Sequence, residues 1–86
     1  MPAWRIEFSR PAARQFAALP RKEQERLRAR IDRLAETPCP AGVKKLAGEE
    51  GLYRLRSGDY RVVYTVQDEV LVVLVLKVGH RREVYR

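Results

Sequence analysis

The chain has 86 residues, 45% hydrophobic and 34% charged, a balance that excludes disorder and fits a single small domain spanning residues 1–86 with one modest core. Eighteen Lys and Arg against eleven Asp and Glu leave a formal charge of +7, which favours polyanionic partners through phosphate contact and counterion release. One cysteine, Cys39, and one histidine, His80, exclude an intramolecular disulfide and a Cys/His metal cluster, and the longest apolar run falls far short of the ~20 residues of a membrane span.

Trp4, Ile6 and Phe8 alternate with Arg5 and Glu7, the period of a half-buried strand. Ser9 is a suitable N-cap and Pro11 suits a first helical turn, so a short helix is expected to run to Pro20 with Ala13, Phe16 and Ala17 on one face. From Arg21 to Glu36, Leu27, Ile31 and Leu34 recur at helical spacing among charged residues, and Thr37-Pro38 ends this second helix because the residue before proline is pushed out of the α region. No signal-peptide core precedes these elements, and a reducing, cytoplasmic setting is expected.

Pro38 to Glu50, with two prolines, two glycines and Lys44-Lys45, reads as a loop from helices to sheet. Leu52–Arg56, Tyr60–Val66 and Val70–Val78 then read as three strands of an antiparallel meander, joined at Ser57-Gly58-Asp59 and Gln67-Asp68-Glu69. The last is apolar at both parities, as in a strand covered on both faces or central in its sheet. The fold expected is α+β: an N-terminal strand, a two-helix hairpin and the meander, forming a four-stranded sheet with helices on one face and the other partly open.

Arg54 and Arg56, two apart on a strand, point to the same side, and Arg61 lies just past the turn on the neighbouring strand. Arg81 and Arg82 follow the last strand and are placed to close a cationic patch. Guanidiniums remain charged at any working pH and bind phosphate oxygens bidentately. Tyr85 is a possible base, since nearby cations favour its phenolate, or a stacking platform for a nucleobase. His80 belongs to the one side-chain type that titrates near neutrality. Lys44, Lys45, Lys77, His80 and Arg82 form the expected RNA-contacting set around Arg54, Arg56, Arg61, Arg81 and Tyr85. There is no glycine-rich nucleotide loop, no Ser/His/Asp arrangement and no carboxylate cluster, so no cofactor or metal is expected, and phosphodiester cleavage would use the 2′-hydroxyl of RNA as nucleophile.

With Leu52-Tyr53-Arg54-Leu55-Arg56, Ser57-Gly58-Asp59-Tyr60-Arg61-Val62-Val63-Tyr64 and Val78-Gly79-His80-Arg81-Arg82-Glu83-Val84-Tyr85 in this order, the chain closely resembles the RelE branch of the RelE/ParE toxins of type II toxin-antitoxin systems. The resemblance implies a ribosome-dependent mRNA endonuclease that enters the A site of the 70S ribosome and cuts the codon there. It also implies that Arg54, Arg56, Arg61 and Arg81 orient the RNA and stabilise transition-state charge, while Tyr85 stacks on a base or accepts the 2′-hydroxyl proton. The best-known members carry lysines where this chain has Arg54 and Arg56; a guanidinium cannot serve as a base, so proton transfer falls to Tyr85 or His80, and Arg81 and Arg82 both remain open for the arginine after the last strand. A cognate antitoxin covering the basic face in a toxin-antitoxin hetero-oligomer is implied as well, and the C-terminal helix of some relatives is expected to be missing. Two other readings are a ParE-like inhibitor of DNA gyrase with the same fold, and a catalytically silent member that binds only RNA or antitoxin.

Overall fold

Strand β1 (Arg5–Phe8) alternates exposed and half-buried side chains, as period-2 patterning requires, in a computed structural model that describes residues 4–38, 44–45 and 51–80. Helix α1 (Arg10–Ala17) follows at once: the Ser9 hydroxyl accepts from the Ala12 amide, and Pro11 occupies the first turn, where a missing N–H costs nothing. Its inward face is Ala12, fully buried, with Phe16 and Leu19 packed on the core, a spacing of four and three. Ala13 and Ala17, expected on that face with Phe16, are exposed, because the helix is rotated so that Ala12, the residue tied to the cap, meets the sheet. At the other end, the Gln24 side-chain amide donates to the carbonyls of Ala17 and Leu19 at 3.0 and 2.9 Å, satisfying acceptors that a helix terminus leaves open.

Helix α2 (Arg21–Arg33) buries Leu27 and Ile31, and Leu34 just beyond it, as the periodicity predicts. After it the segment expected to be one loop contains a two-residue strand, β2 (Lys44–Lys45), paired antiparallel with β3 (Leu52–Ser57). β3 joins β4 (Tyr60–Gln67) through Gly58-Asp59. Gly58 has φ 60°, a left-handed conformation that glycine adopts without steric cost and that matches the twist of a two-residue hairpin. A 3₁₀ turn (Asp68–Val70) then leads to β5 (Val72–His80). The last strand thus lies two residues later than the apolar run suggests, and Val70 and Leu71 are exposed at 59% and 49%.

The sheet order is β1-β5-β4-β3-β2. The four expected strands are present, with the short β2 added at one edge, and the sheet is mixed because β1 runs parallel to β5 while β3, β4 and β5 form the antiparallel meander. Between Val63/Tyr64 and their partners Lys77/Val75 the register shifts, leaving Leu76 as an extra residue in β5. One side of the sheet meets the helices. Leu55, Val62, Tyr64, Val73, Val75 and Val78 join Ala12, Leu27, Ile31 and Leu34 in a single buried cluster. The Tyr64 hydroxyl, inside this core, donates to the Pro38 carbonyl at 2.7 Å, which pairs a buried polar group as burial demands. Among the described residues no helix is long and apolar enough to cross a membrane.

Candidate nucleic-acid interface

Side chains directly opposite one another in a ladder share a face, so the register places the basic residues. Arg56 pairs with Arg61, and Arg61 with Gly79; Arg54 pairs with Val63, and Val63 with Lys77. Arg54, Arg56, Arg61 and Lys77 therefore lie on one face of three adjacent strands. Leu55, Val62 and Val78 alternate with them and are buried on the helix side. The cationic face and the hydrophobic core are two consequences of one alternation.

The four are not equally exposed. Arg56 and Lys77 are open to solvent and Arg54 is half-buried, while Arg61 retains only 7% of its accessible surface. Strand alternation made Arg61 a member of a solvent-facing set; the structure puts it inside. Its Nη1 donates to the carbonyls of Gly58 and Tyr60 at 3.3 and 3.4 Å, both long, and its Nε is buried with no hydrogen-bond partner. None of the ion pairs among the described residues involves it. A guanidinium cannot shed its charge by deprotonation, and a buried cation is ordinarily matched by an anion. Directly across the ladder stands Arg56, a second cation, where like charges oppose folding.

His80 occupies a different place. Its register partner is Tyr60, so it lies on the helix side of the sheet, edge-to-face with the Tyr60 ring at 5.8 Å and 77°. The two rings line a cavity of about 450 Å³ together with Gln15, Leu19, Pro20 and Val78. His80 is thus a neighbour of the arginine face along the strand, but its ring is turned away from it. This ring pair and cavity are absent from the sequence reading, whose last strand ends at Val78 and leaves His80 in a tail. The adjacent Tyr60-Arg61 and Gly79-His80, continued as strand, carry the signal. Lys44 and Lys45 are the residues of β2, opposite Arg54 and Tyr53. Arg81, Arg82 and Tyr85 lie outside the described residues.

Three adjacent strands therefore present a cationic surface with one nearly enclosed guanidinium, suited to the oxygens of a phosphodiester. A family model described as the ParE toxin of type II toxin-antitoxin systems matches residues 6–85. The mRNA interferase toxin RelE of Escherichia coli K12 is 36% identical over 87 aligned positions, which span 96% of this chain and 90% of that protein. The crystal structure of the isolated E. coli RelE toxin superposes with a TM-score of 0.83 at 32% identity, covering 96% of this chain and 92% of the other. The archaeal RelE-RelB complex from Pyrococcus horikoshii OT3 gives a TM-score of 0.81 at 31% identity over 94% and 98% of the two chains. With family model, sequence and fold in agreement along nearly its whole length, the chain belongs to the RelE/ParE toxin superfamily of type II toxin-antitoxin systems, on its RelE-like branch.

Proposed function

We propose that the protein is a ribosome-dependent, metal-independent mRNA endonuclease that cuts the codon in the A site of the 70S ribosome and arrests translation, and that a cognate antitoxin binds it as a hetero-oligomer. The observation that carries this reading is Arg61: a buried cation with an unused donor and, among the described residues, no carboxylate partner, next to Arg56 in the ladder. An anion at that place satisfies the donor and relieves the repulsion. The E. coli relative's name, an mRNA interferase, supports RNA phosphate as the fitting anion. The archaeal relative crystallised with RelB supports the antitoxin.

In the proposed reaction the 2′-oxygen forms a bond to the adjacent phosphorus and the bond from phosphorus to the 5′-oxygen breaks. The products are a 2′,3′-cyclic phosphate and a 5′-hydroxyl. One proton passes from the 2′-hydroxyl to a base and another reaches the leaving oxygen. Arg54, Arg56, Arg61 and Arg81 hold the non-bridging oxygens as their charge grows, the step at which preorganised donors are most effective. Tyr85 is the first choice for base or stacking platform, because the His80 ring is engaged with Tyr60 on the helix side. Lys44, Lys45, Lys77 and Arg82 guide the polyanion.

The ParE description of the family model favours a second reading, inhibition of DNA gyrase by protein contact. It ranks lower because the 36% identical relative is an mRNA interferase and because gyrase contact assigns no role to the unsatisfied donor on Arg61. Toeprinting of mRNA on programmed ribosomes separates the two. Cuts confined to the A-site codon are expected; intact mRNA together with DNA-damage signalling in cells would replace the nuclease by the gyrase reading.

A further inference from the structure

Strand β5 outruns its parallel neighbour. β1 ends at Phe8, opposite Val75, whereas β5 continues to His80, so among the described residues no strand lies beside that edge from Leu76 onward and its backbone groups need other partners. Helix α1 supplies them. The Ser9 amide donates to the Val75 carbonyl at 2.9 Å, and the Ser9 hydroxyl donates to the Leu76 carbonyl at 3.2 Å. Oε1 of Gln15 accepts from the Val78 amide at 2.8 Å. These contacts straddle the bulge, since Leu76 is the residue with no partner on β4.

Bulges next to active sites re-aim the chain that follows, and here the chain that follows is Lys77, Val78, Gly79 and His80. Gly79 is the ladder partner of Arg61. Gln15 is exposed on α1, where other good helix formers would serve the helix equally well, and it reaches across 63 positions of sequence to one backbone amide. We infer that Gln15 is a positioning residue: its amide oxygen splints β5 beyond the bulge, so that Gly79 stays in register beside Arg61. This rests on the mRNA-cleavage reading. Gln15 touches no reacting atom; it acts through the strand.

The test compares wild type with Gln15→Met, which keeps the length and removes the acceptor, and with Gln15→Glu, which keeps an acceptor oxygen. Single-turnover cleavage of the A-site codon on programmed ribosomes gives a maximal rate and a half-saturating toxin concentration; amide exchange of Val78 in the same protein reads the splint without reference to activity. For Gln15→Met the maximal rate should fall on the order of tenfold to a hundredfold, as small misplacements of catalytic groups do, with the half-saturating concentration little changed. Val78 should exchange about tenfold faster through easier local opening, and Gln15→Glu should restore both. A wild-type maximal rate in Gln15→Met overturns the inference, as does a lost rate with unchanged Val78 exchange, or a Glu variant as impaired as the Met variant. Wild-type protein that leaves the codon uncut removes the nuclease reading; unchanged Val78 exchange in Gln15→Met removes the splint.

Discussion

Arg61 combines two properties that rarely occur together: a charge that cannot be titrated away and a nearly closed setting with no carboxylate partner among the described residues. For stability such a residue is a cost, and for anion binding an asset, so the two should separate under substitution. Arg61→Met keeps most of the apolar bulk of the stem and removes the charge. Folding stability by denaturant unfolding is expected to stay within about 1 kcal/mol of wild type or to rise, since replacing buried ionic groups by apolar ones is often neutral or favourable. Cleavage on ribosomes should fall by a factor of about 10² or more, the usual loss when one preorganised donor to developing charge is removed. A stability loss above about 2 kcal/mol with cleavage retained would make Arg61 a structural residue. Membership of Arg61 in the cationic set was legible from alternation alone; its burial was not, because a period-2 pattern says which face a side chain joins and nothing about what covers it. For His80 the error ran the other way. Gly79-His80-Arg81-Arg82 looks like one basic run, yet while β5 lasts its neighbours alternate, and β5 lasts through His80.

At the scale of elements, the junction of β1 and α1 carries the construction. Ser9 uses its amide for Val75 and its hydroxyl twice, accepting from the Ala12 amide and donating to the Leu76 carbonyl. One side chain caps the helix and satisfies the bulge. Ser9→Ala should therefore cost about 1–2 kcal/mol, the upper range for a lost cap, because a carbonyl at the bulge loses its partner as well; Ser9→Thr should recover most of it. A loss under about 0.5 kcal/mol in urea unfolding would show that neither bond matters to the fold. The cap could be read in the sequence, since Ser9 and Pro11 precede helical spacing. The second bond could not, because Ser9 and Leu76 are 67 positions apart. The two-residue offset of β5 has a similar cause: Val70 to Leu76 is apolar at every position, so hydrophobicity sets no register, and only pairing with β4 shows that the strand starts at Val72. The turn before it holds Leu71 at φ 53°, a conformation uncommon for a non-glycine residue that sequence patterns do not announce.

Across the whole molecule the net charge of +7 is spread over helices and sheet. On α2, Arg21 is paired with Glu25, Arg26 with Glu23 and Arg28 with Asp32. On the sheet face, Arg54, Arg56, Arg61 and Lys77 are brought together by the ladder. The composition announces an excess of cations; only the topology, which brings Arg54, Arg56, Arg61 and Lys77 onto the sheet face away from the helices, says which of them share a surface. Salt dependence distinguishes a face that contacts phosphates from cations that are merely solvated, because each phosphate neutralised on a single strand contributes about 0.7 to the slope of log K against log salt. The apparent affinity for programmed ribosomes, measured by single-turnover cleavage between about 50 and 200 mM KCl at fixed magnesium, should fall with salt. Replacing Arg54 and Arg56 together by Gln should flatten that slope by about 1.4, two phosphate contacts' worth. Replacing Arg26 and Arg28 by Gln removes the same number of charges from the paired helix surface and should leave the slope within about 0.3 of wild type. Equal flattening by the two double variants would mean that only net charge is felt and that the sheet face holds no phosphate; flattening by the helix pair alone would move the RNA to the other side of the molecule.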